Sequence, residues 1–431
     1  MTDNIKHITD ILNRTQIDTI DSLANTYPQA KERFMADDTL EMPPSNFSQM
    51  DIDTINRNLD ELNSLDIDSF DLDPWNKDLY DDLIRYSIEQ NMFVKSNYDY
   101  NHSSAEEKPE IVRTHDEYAK KLFDLPDKDV YLDILYHLLQ KIDTDSFTEE
   151  EKKMYEELLE LLPEIPDNRM PLYHPNQEVL NRLHKKVIDY YEPFLKHVPD
   201  KDTFELVDIY NIATEILNTE FADRKGKWKV LYIPNRSFAS VNHIDREIKF
   251  PGNRNESHYT HDSLIMLLLH EMGVHFLREL QYDMIDIEPV RTGLRNYEKY
   301  EEGIAVSLSQ IAVNSFSYSG LIHYITVGLA YFYEKSFRET YEIQKRLQYL
   351  ADKSSCGRSF DSVNRTFRGT YKLINCKDLV YFNGTNAIWK YLEENIDSPT
   401  LIDDLIKAGK IDIFNEKHRR IIQEIRRKYT I

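Results

Sequence analysis

Apolar residues recur along this chain mostly at helical spacing, and one stretch departs from that by being apolar on every side. Residues 264–269 are six consecutive apolar side chains, and Val274, Phe276, Leu277 and Leu280 extend the character. A helix with no polar face belongs in a protein interior, and residues 261–281 provide about five turns of it. Around it the spacing predicts amphipathic helices over 76–90, 130–141, 148–162, 177–195 and 205–220, with Thr148 and Glu151 placed as a capping box. Residues 228–233, 240–243 and 247–250 are β-rich, stop at Pro234 or at Pro251-Gly252, and predict a small sheet directly before the apolar helix. Pro163, Pro166, Pro171 and Pro175 interrupt the periodicity and mark a linker. The pattern as a whole is α+β and mostly helical.

The apolar helix carries His270, Glu271 and His275 in its middle. An unpaired polar group away from water costs on the order of 2 kcal/mol and a charge far more, so these side chains need partners or an ion. His270-Glu271-x-x-x-His275 is one residue longer than the H-E-x-x-H of zinc metallopeptidases, where two imidazoles four apart share a helix face and the Glu acts as general base. Five residues at about 100° each leave the rings roughly 140° apart on an ideal helix. A single-turn π-bulge restores the alignment, and Gly273 inside the interval tolerates such a distortion. A hydrogen-bonded pair of core histidines also satisfies the string, but the apolar surroundings favour an ion.

A catalytic zinc site needs a third protein ligand and an open position for water. Glu301 and Glu302 stand at the start of a second apolar helix, GIAVSLSQIAV. Adjacent helical residues point about 100° apart, so one of the two can face the ion. Glu302, with Gly303 and Ala305 leaving room beside it, is the choice; the alternative makes both carboxylates first-turn glutamates favoured by the helix dipole. Glu298 and Glu301 are then candidates for orienting the histidines.

HEMGVHFLR followed by EEGIA resembles the metallopeptidases that combine H-E-x-x-x-H with a downstream Q/E-E-G-L/I-A motif. That group includes the microtubule-associated tyrosine carboxypeptidases and bacterial QEGLA-motif proteins. Similarity continues in residues 237–250 and 356–384, so it covers about residues 170–425. The resemblance implies a zincin-like core, one zinc ion held by His270, His275 and Glu302, and Glu271 as the catalytic base. Glu301 stands where many bacterial members have Gln, which leaves the ligand untouched.

Charge divides the chain. Residues 1–150 hold 34 acidic and 14 basic side chains, while 151–431 hold 42 and 39, so nearly all of the formal −23 lies in the first third. This separates an acidic, mainly helical N-terminal module, residues 1–165, from a catalytic domain, residues 166–431. The module is placed to bind or shield a basic groove in cis and so to restrain the catalytic part. Its Asp-x-Asp spacings lack the glycine and terminal Glu of a calcium loop. No dominant basic face favours nucleic acid. Cys356 and Cys376 form neither a disulfide framework nor a cysteine metal site, and the N-terminus lacks a signal pattern, so a cytoplasmic location is expected. The uncharged tract over most of residues 303–333 contains five serines and is expected as two core helices, with no membrane span.

The reading that joins these features is a zinc-dependent peptidase. By resemblance it is a carboxypeptidase removing a C-terminal residue, tyrosine or another aromatic, from a peptide or protein. Clamping a terminal carboxylate calls for an arginine, and residues 353–377 are rich in cations. Arg368, Tyr381, Asn242 and His243 are the candidates for holding the substrate. An endopeptidase with the same metal chemistry, or a non-catalytic regulatory protein with a structural ion, are the alternatives.

Overall fold

Several helices begin where the sequence supplies a side-chain cap, Asp73, Asp127, Thr148, Asn176, Thr260 and Ser336 among them, in the computed structural model. It describes the chain apart from residues 1–2, 16, 18–22, 24–27, 44–51, 167, 225–226, 237, 243–244, 253–257, 284–289, 291–292, 354–355 and 430–431. The N-terminal part is helical: α1 (Asp3–Thr15), α2 (Pro28–Ala36), α3 (Ile52–Asn63), α4 (Pro74–His102), α5 (Lys108–Phe123), α6 (Lys128–Gln140) and α7 (Glu149–Leu161). Asp73 caps α4 ahead of a proline at its first turn, and Thr148 with Glu151 forms the expected capping box on α7. The proline-rich segment carries no regular structure until Asn176 caps α8 (Gln177–Leu195).

A short antiparallel pair, β1 (Thr203–Glu205) with β5 (His258–Thr260), brackets α9 (Asp208–Thr219) and a three-stranded sheet. That sheet has the order β2 (Lys229–Ile233), β4 (Glu247–Pro251), β3 (Ser240–Asn242), parallel in the first pairing and antiparallel in the second. β3 is therefore an edge strand, and it lies against the middle of the apolar helix. The apolar helix, α10, occupies residues 261–283. It is followed by α11 (Tyr297–Ala312), α12 (Leu321–Tyr333), α13 (Phe337–Asp352), α14 (Cys356–Thr366), α15 (Leu379–Glu394), α16 (Leu401–Lys407) and α17 (Glu416–Tyr429). The uncharged tract is two helices, α11 and α12, and among the described residues no helix is long and apolar enough to cross a membrane.

Two large apolar clusters form the interior. One gathers α8, α9, the three-stranded sheet, α10, α11, α15 and the C-terminal helices. The other joins the N-terminal helices to α12, α13 and the start of α15: Ile84, Phe93, Tyr131 and Leu135 share it with Tyr324, Ile325, Leu347 and Phe382. The compositional boundary near residue 165 is thus crossed by packing. Gly328 of α12 shows how tightly, since a Cβ there would lie 2.1 Å from the ring of Tyr131.

Ion pairs follow the same route. Arg295 meets Asp82 and Glu89, Lys299 meets Asp124 at 2.8 Å, and Lys353 meets Glu151 at 2.6 Å. The pairs of Arg295 and Lys299 join the two charge regions at single points, so they do not by themselves amount to an acidic lid over a basic groove.

α4 extends through 29 residues, about twice the stretch the periodicity marked. Its buried face includes Ser87, Asn91, Ser96 and Asn97, which read as polar in a sequence. Asn91 donates to the carbonyls of Thr15 and Ser87, and Ser96 donates to the carbonyl of Phe93, so these polar atoms are satisfied inside.

α11 and α15 approach closely through two glycines. A Cβ on Gly384 would fall 1.9 Å from the carbonyl oxygen of Lys299, and one on Gly303 would fall 2.5 Å from the carbonyl carbon of Gly384. Gly303 therefore admits a neighbouring backbone and is not simply clearing space for an ion. Gly384→Ala is expected to force the helices apart and cost about 3 kcal/mol, read as a lower urea midpoint at unchanged slope.

Candidate metal centre

The middle of α10 is a π-helix, Leu269–Phe276, set between α-helical turns. The wider turn brings residues five apart onto one face, and the rings of His270 and His275 lie with centroids 4.9 Å apart. Gly273 serves this segment by packing. Its carbonyl accepts from the Tyr191 hydroxyl at 2.8 Å, and a Cβ would stand 2.9 Å from that tyrosine's ring.

α11 delivers the third group. One nitrogen from each of His270 and His275 and one carboxylate oxygen of Glu302 all lie within 4.8 Å of one another, and they form the one such trio found among the described residues. His270 Nε2 and Glu302 Oε2 are 3.6 Å apart. Ligands around a tetrahedral ion with bonds of about 2.1 Å sit about 3.4 Å apart, so two imidazoles and a carboxylate at this spacing fit a divalent ion such as zinc. All three side chains keep some exposure, 22% for His270, 15% for His275 and 28% for Glu302, which leaves a path from solvent.

Glu301 points the other way, as adjacent residues on a helix must. One of its oxygens accepts from His275 Nδ1 at 2.9 Å and the other from the Nε of fully buried Arg278. This fixes the His275 tautomer with its proton on Nδ1 and Nε2 available for an ion. Glu298, the other orienting candidate, instead pairs with Lys377 at 3.0 Å.

Among the protein groups alone, burial and the charge of His275 push His270 down to about 3. Burial works against protonated His275, yet the hydrogen bond and charge of Glu301 prevail and raise it to about 9. Glu301 is buried too, but Arg278 and His275 hold it down to about 2. Glu271, 6% exposed, is pushed up to about 7 by burial, against the pull of His275 and Arg236.

The substrate candidates divide. Tyr381 lies near the centre: the charge of Glu302, then burial, raises its phenol well above the ordinary value, and Arg365 sits 5.7 Å over its ring. Arg368 is buried at 8% exposure, and its charge acts on Asp378 and His323. Asn242 differs from expectation. Its amide donates to Asp245 and its oxygen accepts the Asp245 N–H, so the side chain closes the β3–β4 turn. His243 lies outside the described residues.

The sequence reading passed over Arg278, although a charge within an apolar helix was the signal that would have found it. It also passed over Arg236, which donates to Ser240 at 3.0 Å, stacks on Phe238 and feels Glu271. The bidentate Arg365–Asp378 pair beneath Tyr381 carries no local pattern and needs the fold to be seen.

Two histidines on a π-turn and a carboxylate from the neighbouring helix give this helical α+β protein a donor set suited to a divalent ion. The sequence profile of the microtubule-associated tyrosine carboxypeptidases matches residues 125–428, and the chain belongs to that family. The comparison with curated proteins gave no match.

Proposed function

We propose that this protein is a zinc-dependent carboxypeptidase with a zincin-like core, in which His270, His275 and Glu302 hold the ion and Glu271 is the catalytic base. The observation that carries this reading is the convergence of those three donors beside a buried Glu271. When bound, zinc acidifies water and polarises a carbonyl. Glu271 takes the proton of the attacking water and passes it to the leaving amine, a task suited to a carboxyl pushed up to about 7. Tyr381, kept protonated beside Glu302, is placed to donate to the oxygen on which negative charge develops. Edge strand β3 offers main-chain hydrogen bonds to an extended peptide next to the π-turn.

A terminal carboxylate calls for a cation. Arg368 is the candidate from sequence, and Arg236, on the loop before β3, joins it because its charge reaches Glu271. The family's description names tyrosine, so a peptide ending in tyrosine is the first substrate to try. Mass spectrometry of such a peptide as free acid and as C-terminal amide tests the reading. Loss of one residue from the acid alone supports an exopeptidase; internal cleavage of both would make the protein an endopeptidase; no cleavage of either by zinc-loaded protein would remove the enzymatic reading.

The pH dependence follows from Glu271. It works as a base only when ionised, so kcat/KM should rise with pH along a limb of about tenfold per unit. The limb should end at or below pH 7, because a bound dication lowers the value that burial raises. A kcat/KM profile from pH 5 to 8 checks this, and a flat profile would contradict it.

A further inference from the structure

α10 is gripped from outside the site, one turn beyond His275. The guanidinium of Arg278 has no exposure and spends its donors in three directions: Nε on Glu301, one terminal nitrogen on the carbonyl of Leu405, the other on the carbonyl of Gly409. Both carbonyls belong to the segment that ends α16, more than 120 residues away in sequence. The same segment holds α10 once more and also holds the residues that lead into α11. Lys410 pairs with buried Glu279 at 2.8 Å, and the Lys410 carbonyl accepts the N–H of Leu294, just before α11. The turn depends on Gly409, whose φ of +75° is one that other residues adopt only under strain.

We propose that Arg278, pinned by the carbonyls of Leu405 and Gly409, is a positioning residue for the metal centre, and that segment 401–411 thereby sets how tightly the centre holds its ion. The inference rests on the metal-site reading above. Glu301 is a two-oxygen bridge between His275 and Arg278. The plane of that carboxylate sets the direction of the His275 ring, and a rigid planar fork fixed at its far end sets the plane. Lysine keeps the charge of Arg278 but cannot serve a carboxylate and two divergent carbonyls with the same geometry.

The experiment is zinc affinity of the full chain, measured by competition with a chromophoric chelator, alongside urea unfolding in the presence of EDTA. Glu301→Gln is expected to weaken zinc about 10- to 100-fold, the usual effect of losing a group that orients a ligand. Arg278→Lys should do the same. Gly409→Ala should weaken it about tenfold in the wild-type background and less than about twofold in the Glu301→Gln background, because the turn acts through Glu301. Equal losses from Gly409→Ala in both backgrounds would overturn the inference, as would zinc affinity unchanged by Gly409→Ala. If Arg278→Lys does not fold, the Gly409 and Glu301 cycle decides alone. A wild-type chain that binds no zinc would overturn the metal-site reading as well, whereas tight zinc in every variant overturns only the positioning role.

Discussion

Glu271→Gln is expected to lower release of a C-terminal residue by about 10³-fold, within the range for loss of a general base, while leaving zinc in place. The carboxyl follows the ligand His270 in sequence and is almost wholly buried. Glutamine keeps its shape and can still hydrogen-bond, but it cannot take a proton from water. Because a buried charge is removed, the fold should be no less stable. Mass spectrometry of the peptide product and elemental analysis of the variant check both halves. A variant that loses zinc would place Glu271 in the ion's support and not in the chemistry.

The second large effect concerns the acidic third of the chain. A fragment of residues 125–431, which retains the family match, is expected to be insoluble or molten, not released from restraint. The reason is the shared packing. Without α1 to α5, Phe337 and Tyr341 lose the ring of Phe34, Arg338 loses the carbonyls of Phe34, Asp37 and Leu40, and the Ile374 carbonyl loses buried His115. At roughly 1–3 kcal/mol for each buried polar group left without a partner and roughly 2 kcal/mol for each uncovered aromatic ring, these losses approach the roughly 5–15 kcal/mol that holds a whole domain folded. Arg295 and Lys299, flanking the start of α11, lose Asp82, Glu89 and Asp124 at the same time. Gly369, beside Arg368, loses Asn97, whose amide oxygen lies where a Cβ would be. Dye binding and near-UV circular dichroism of the fragment test this. A soluble fragment with cooperative unfolding and full peptide turnover would show that the N-terminal third is dispensable.

The π-turn was legible because its requirement was local. The five-residue spacing of His270 and His275 is inconsistent with one helix face unless the turn widens, and the two rings do meet. That only one of Glu301 and Glu302 can face the histidines followed from the same helix angle, whereas the choice of Glu302 rested on room beside Gly303, a space that the backbone of Gly384 occupies. What supports these groups was not legible. Arg278 reaches carbonyls 127 and 131 residues away, and main-chain acceptors leave no trace in residue identity. Asn242 looked like a substrate contact because it stands on the strand beside the helix, but an Asn three residues before Asp245 is also good turn chemistry, and the turn took it. The boundary at residue 165 rested on the change of charge near residue 150 and on the proline run that follows it, neither of which reports apolar burial, and the second apolar cluster draws on residues from both sides of it. Polar positions such as Asn91 of α4, buried and hydrogen-bonded to main-chain carbonyls, hid the extent of the contact.

The measurement closest to the central claim is metal stoichiometry of the full-length protein against its ligand variants. One zinc per wild-type chain is expected, falling to near zero in His270→Ala, His275→Ala and Glu302→Ala, each still folded by circular dichroism. Wild-type zinc content in folded Glu302→Ala would contradict the account, because the carboxylate from α11 would then have no part in holding the ion.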